Sequence, residues 1–143
     1  MSAWKRFILR GHVWLVATLI PLLVHLLPLR YLLRLLTPPA RFRPYRGVDV
    51  DEVRRLVARR LAEPRNMRRR ACLREGLTLF HFLRLGGKPA VLQFGVLPVP
   101  DAARRLHAHC WVTVDGQAAS EPAAAPSATM LVHGGSRNGP AGD

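Results

Sequence analysis

Cys72, His109 and Glu121 carry a thiol, an imidazole and a carboxylate in that order, 37 and then 12 positions apart. Acyl transfer through sulfur needs these groups: a thiolate to attack a carbonyl, an imidazole to take and return a proton, and a carboxylate to fix the imidazole's tautomer and ring angle. Cys72 stands where a long apolar run begins, directly after Arg68-Arg69-Arg70 and Ala71. Free N–H groups at a helix start carry partial positive charge, and neighbouring guanidinium groups push the same way, so a thiol placed there ionises more easily. The alternative for Cys72 is a small packed residue, since cysteine also behaves as a small hydrophobe.

The elements that must position these groups can be read from the pattern. From Arg68 to Gly87 the chain reads as one buried helix: Leu73, Leu77, Phe80 and Arg84 share a face, and Leu79, Phe82 and Leu83 cover most of the rest. Gly86-Gly87 supplies an inexpensive left-handed stop. Ala90 to Leu97 is rich in β-formers and is closed by Pro98 and Pro100. His107 to Asp115 alternates, with His109, Trp111, Thr113 and Asp115 on one side and Ala108, Cys110, Val112 and Val114 on the other. Asp115-Gly116 is a hairpin turn, and Gln117 to Glu121 a short third strand. Antiparallel pairing across that turn would bring Glu121 beside His109. Asp115 is the rival carboxylate, although the turn itself uses Asp-Gly structurally. Alternation assigns Cys110 to core packing. Trp111 shares the His109 side, where it either shields the imidazole or packs as ordinary sheet. His107 is a second base in principle and reads as a loop-edge residue. His81, in mid-helix, reads as a core or partner contact.

At 143 residues the chain suffices for one domain with a modest core. Its 22 basic residues, nearly all arginine, against 9 acidic ones give a net charge of +13, which suits an acidic partner, anionic lipid or nucleic acid. No nucleic-acid module signature accompanies it, and no nucleic-acid partner is expected. Two cysteines without a C-x-x-C pair or a zinc-spaced Cys/His cluster predict neither a disulfide framework nor a metal, and point to a reducing compartment. No cofactor is expected.

Residues 1–48 form a hydrophobic helical segment and a basic linker. Val13 to Leu29 is an apolar run interrupted by Pro21, His25 and Pro28. Its 17 residues are at the short limit for crossing a bilayer, and arginines flank both ends. Three readings stand: a membrane anchor, an interfacial helix pair, or a helix packed on the domain or a partner. His12 and His25 read as incidental. Thr37-Pro38-Pro39 ends the region. Residues 49–121 make the folded domain, opened by a helix from Asp49 or Asp51 to about Glu63 with Val53, Leu56, Val57 and Leu61 on its core side and an arginine stripe on its solvated side. Residues 122–143, rich in Ala, Pro, Gly and Ser, read as a disordered tail.

Arg70-Ala71-Cys72-Leu73, the helix ending in Leu85-Gly86-Gly87, Phe94-Gly95-Val96 and the run from Ala108 to Gly116 together resemble the transglutaminase-like superfamily. More narrowly they resemble the lasso-peptide biosynthesis B family over about residues 50 to 121. The resemblance implies an α+β, papain/transglutaminase-like fold, in which the cysteine helix packs on a small antiparallel sheet with the N-terminal helices around it. It also implies a cysteine peptidase that removes the leader from a ribosomally made precursor peptide in the cytoplasm, or at the inner face of the cell membrane. By the match Cys72 is the nucleophile, His109 the base and Glu121 the third member, where the family usually has aspartate. Cys110 replaces a common alanine. A separate leader-binding protein and a macrolactam cyclase would be partners. Two alternatives remain: an acyl transferase that delivers the thioester to an amine, and a non-catalytic, membrane-associated binding protein.

Overall fold

The structure, a computed structural model, describes residues 2–62, 71–97, 107–120 and 128–134. Four helices, α1 (Ala3–Leu26), α2 (Leu29–Leu36), α3 (Val50–Leu61) and α4 (Ala71–Leu85), precede the strands β1 (Ala90–Leu97), β2 (His107–Val114), β3 (Gln117–Ala118) and β4 (Ala128–His133). The sheet is antiparallel with strand order β3-β2-β1-β4. This is the expected α+β arrangement of helices around a cysteine-bearing helix on a small sheet.

α4 is central because its sequence offers no solvent face along its second half. Leu77, Leu79, Phe80, Phe82 and Leu83 are all completely buried. It stops where the two glycines stand. Gly87 has φ +79°, Gly87 N–H donates to the Arg84 carbonyl, and Lys88 N–H reaches back to the Leu83 carbonyl at 2.9 Å, a Schellman closure. α3 carries Asp51 and Glu52 in its first turn and Arg59 and Arg60 in its last, each opposing the helix dipole, and buries Val53 and Val57. Asp49 occupies its N-cap without a side-chain capping bond.

β1 and β2 pair along their full length, from Ala90 opposite Val114 to Leu97 opposite His107. The hairpin after β2 has φ +51° at Asp115 and +78° at Gly116. Two consecutive positive φ angles are the I′ geometry that matches strand twist, and an Asp-Gly pair adopts it at little cost. The third strand is shorter than expected: only Gln117 and Ala118 form the ladder, while Ala119 and Ser120 still bond to Val112.

The C-terminal segment corrects a sequence reading. Within 122–143, expected as a disordered tail, Ala128–His133 forms β4 and pairs with β1 from Val96 opposite Ala128 to Leu92 opposite His133. Composition averaged over that stretch hides a six-residue β-prone run, and β1 provides the open edge it completes. The Thr37 hydroxyl, 2.8 Å from His133 Nε2, ties the end of β4 to the end of α2.

α1 runs unbroken through Pro21; it is Pro28 that separates it from α2. Leu9, Val13, Ala17 and Ile20 are buried, and Leu9, Val13 and Ile20 join the same apolar cluster as α3, α4 and the sheet. His12 is not incidental. Its Nδ1 lies 2.9 Å from the Tyr45 hydroxyl, and its ring meets those of His81 and Phe82 edge-on. His81 in turn donates from Nδ1 to the Leu36 carbonyl at 2.8 Å. The loop after α2 is thereby tied to α1 and α4.

Burial pulls the pKa of His12, His81 and His133 below the ordinary imidazole value of 6.5, outweighing the Leu36 bond at His81. The unfolded chain therefore binds more protons between the folded values and 6.5, and stability rises with pH across that window. The stabilisation is complete above 6.5 and is lost as pH falls through the depressed folded values. The urea midpoint should thus be lower at pH 5.5 than at pH 7.5, and His12→Gln should flatten that slope. A midpoint independent of pH would refute the linkage.

Candidate active site

Cys72 lies in the first turn of α4, half-buried, and Gly76 follows one turn later on the same face. Gly76 is where the helix meets the sheet. A Cβ added there would stand 2.5 Å from Cys110 Sγ and 3.3 Å from Leu92 Cδ1. Only the missing side chain lets α4 approach β2 so closely. Sequence reading passed over Gly76, yet the signal was present: a lone glycine inside a strong helical pattern usually has a packing reason.

β2 turns one set of side chains toward α4 and the other away. Cys110 and Val112 are buried on the helix side. His109 and Trp111 share the other side, their rings stacked with centroids 5.8 Å apart and 22° between planes. Gln93 lies across from Trp111 and donates to Thr113 Oγ1 at 3.2 Å on that same face. Directly opposite His109 is Gly95, where β1 also shifts register against β4. The residue paired with His109 in the β1–β2 ladder therefore has no side chain. The structure brings Cys72 to the Cys110 side of β2 and joins His109 to Trp111, with His109 the chain neighbour of Cys110.

The two thiols have different surroundings. Burial, with smaller contributions from the charges of Cys72 and Glu75, pushes the Cys110 thiol up to about 12. Cys110 is thus a neutral packing group at physiological pH, in keeping with its place on the helix side. Arg74, beside these residues on α4, is buried, and desolvation lowers its pKa. Iodoacetamide at pH 8 should alkylate the native protein once, at Cys72, and reach Cys110 only after denaturation. Peptide mapping that found Cys110 modified in the native state would contradict this assignment.

Glu121 and Arg68 to Arg70 lie outside the described residues. The chain leading to Glu121 is held, however. Ser120 Oγ accepts from Val112 N–H at 2.9 Å, and Ala119 N–H donates to the Val112 carbonyl at 2.8 Å. Asp115 is exposed in the turn, six residues along an extended strand from His109, roughly 20 Å away at about 3.3 Å per residue. That separation removes Asp115 as an orienting partner for the imidazole. Among the described residues no three His, Cys, Asp or Glu side chains gather as a metal-binding group.

These elements define an α+β domain with a thiol at the first turn of its central helix and the neighbouring strand carrying a histidine. The family model described as the transglutaminase-like superfamily matches residues 12–132, and the chain belongs to that superfamily. The matched region begins within α1 and ends within β4, so it takes in most of α1, all of α2 and nearly all of β4, beyond residues 50–121. A comparison with curated proteins finds no match, and one with solved structures finds none either.

Proposed function

We propose that this protein is a cysteine peptidase that removes the leader from a lasso-peptide precursor, with Cys72 as nucleophile, His109 as general base and Glu121 orienting the imidazole. The observation that supports the reading is the close seat of α4 on β2 at Gly76 and Cys110, one turn from Cys72 along the helix and one residue from His109 along the strand. Superfamily membership supports thiol chemistry of this kind, and the resemblance of the Cys72 and His109 segments to the lasso-peptide B family supports the substrate.

The chemistry runs in two halves. His109 takes the Cys72 proton, and the thiolate adds to the carbonyl carbon of the scissile bond. The tetrahedral intermediate collapses as the imidazolium protonates the departing amine. The core peptide leaves with a free α-amino group, and the leader remains as a thioester on Cys72. Water, deprotonated by His109, then releases the leader as a carboxylic acid and regenerates the thiol. For this step the imidazole, which the strand carries on the side away from Cys110, must come within hydrogen-bond reach of the sulfur. The freed amine is the group a macrolactam cyclase would then use, and a separate leader-binding protein would present the precursor.

The test is to incubate the full chain with a precursor and its leader-binding protein and weigh the products. Leader acid plus core peptide supports peptidase action. A leader joined to an added amine would identify an acyl transferase instead, and an intact precursor would count against both.

A further inference from the structure

We propose that the outward face of α1 docks in the plane of an anionic lipid bilayer, while its inward face stays in the protein core. α1 is apolar on two opposite sides. Leu9, Val13, Ala17 and Ile20 fill the core, and Trp4, Trp14, Leu15, Leu22 and Leu26, on the far side, are half or more exposed. At 100° per residue those outward positions form one strip, which carries no Lys, Arg, Asp or Glu from Trp4 to Leu26. It spans about 33 Å at about 1.5 Å per residue.

The margins of the strip name the occupant. Arg10, Arg59 and Arg60 line a groove of about 270 Å³ with Val13, Trp14 and Leu56. Arg60 lies over the Trp14 ring, 4.8 Å from its centroid, and donates to Thr18 Oγ1 at 2.9 Å, so guanidinium groups sit at the edge of the apolar strip. Arg30 and Arg34 extend from α2 as exposed cations. An aliphatic surface bearing tryptophans and bordered by arginine suits acyl chains below and anionic headgroups around them. The net charge of +13 favours the same surface.

The inward face sets the geometry. α1 is long and apolar enough to cross a bilayer. Crossing would strip four buried side chains from the core, together with the His12–Tyr45 contact and the Arg6–Glu52 ion pair at 3.6 Å. Lying flat, the helix keeps all of them and covers only the strip that the protein leaves bare.

Vesicle binding by the full chain decides the matter. Vesicles containing phosphatidylglycerol should sediment the protein at low salt, with at least a tenfold loss of binding on pure phosphatidylcholine vesicles or at 0.5 M NaCl. Brominated lipids should quench tryptophan fluorescence in the unmodified protein. Leu15→Glu with Leu22→Glu should lower vesicle binding at least tenfold at an unchanged melting temperature. No sedimentation with anionic vesicles would overturn the proposal. So would resistance to carbonate extraction, which marks a spanning helix, or a vesicle-free dimer that the double substitution disperses, which marks a second copy as the occupant.

Discussion

Cys72→Ala should abolish precursor cleavage, with a loss of at least about 10³-fold in kcat, because removing the nucleophile leaves only binding and electrostatic contributions. The variant should still fold. Cys72 is half-buried in a first turn, and alanine is the strongest helix former, so the stability change should stay within about 1 kcal/mol. The control is Cys110→Ala. Cys110 faces the helix with its thiol held neutral, and its replacement should leave cleavage within a few-fold of the parent. Product masses and circular dichroism on the three proteins separate the outcomes. A Cys72→Ala protein that cut at the parental rate would remove the thiol from the mechanism, and loss of activity in Cys110→Ala with retained activity in Cys72→Ala would exchange the two assignments.

The second large effect belongs to Gly76→Val. The first added carbon already lies 2.5 Å from Cys110 Sγ, inside any tolerable contact, and the side chains it meets, Cys110 and Leu92, are both buried in the core. Overpacking of this kind costs about 2–3 kcal/mol, which lowers the melting temperature by on the order of 5–10 °C. Activity should fall further than stability explains, since pushing α4 off β2 moves Cys72 relative to the His109 strand, and displacements of about 1 Å at a reacting centre can cost 10²-fold. Gly76→Ala gives the finer measurement. Alanine gains up to about 1 kcal/mol of helix propensity but meets the same sulfur. Combined with Cys110→Ala the obstruction is gone, so the double variant should exceed Gly76→Ala in denaturant midpoint. Additive single effects in that cycle would show that the two residues do not share the contact.

Much of what positions the site was legible because it is local. α4 announces itself by apolar residues on nearly every side and by its two closing glycines. β1 and β2 follow from β-formers and alternation, and the Asp115-Gly116 turn is a two-residue signal that fixes their neighbour. What stayed hidden depends on partners distant in sequence. His12 meets Tyr45 across 33 positions, and nothing in the periodicity of α1 says which loop residue will arrive there. β4 has an edge to complete only because β1 lies open on that side. The reading of Cys110 as a packing residue needed alternation alone. The role of Gly76 required knowing that its helix rests on Cys110.

The two-sided character of α1 also has a meaning in time. Ala71, which opens α4, follows Leu26 by 45 positions, so ribosomes adding about 5–20 residues each second finish α1 on the order of 2–9 s before the start of its main partner is made. Through the first part of that interval, before α3 is made, both sides of a 24-residue apolar helix are bare. Its nascent form resembles the hydrophobic stretches that targeting factors and chaperones capture. Completion of α4 must then outcompete that capture for each new chain, and the yield of folded protein should depend on how quickly the segment between them is translated.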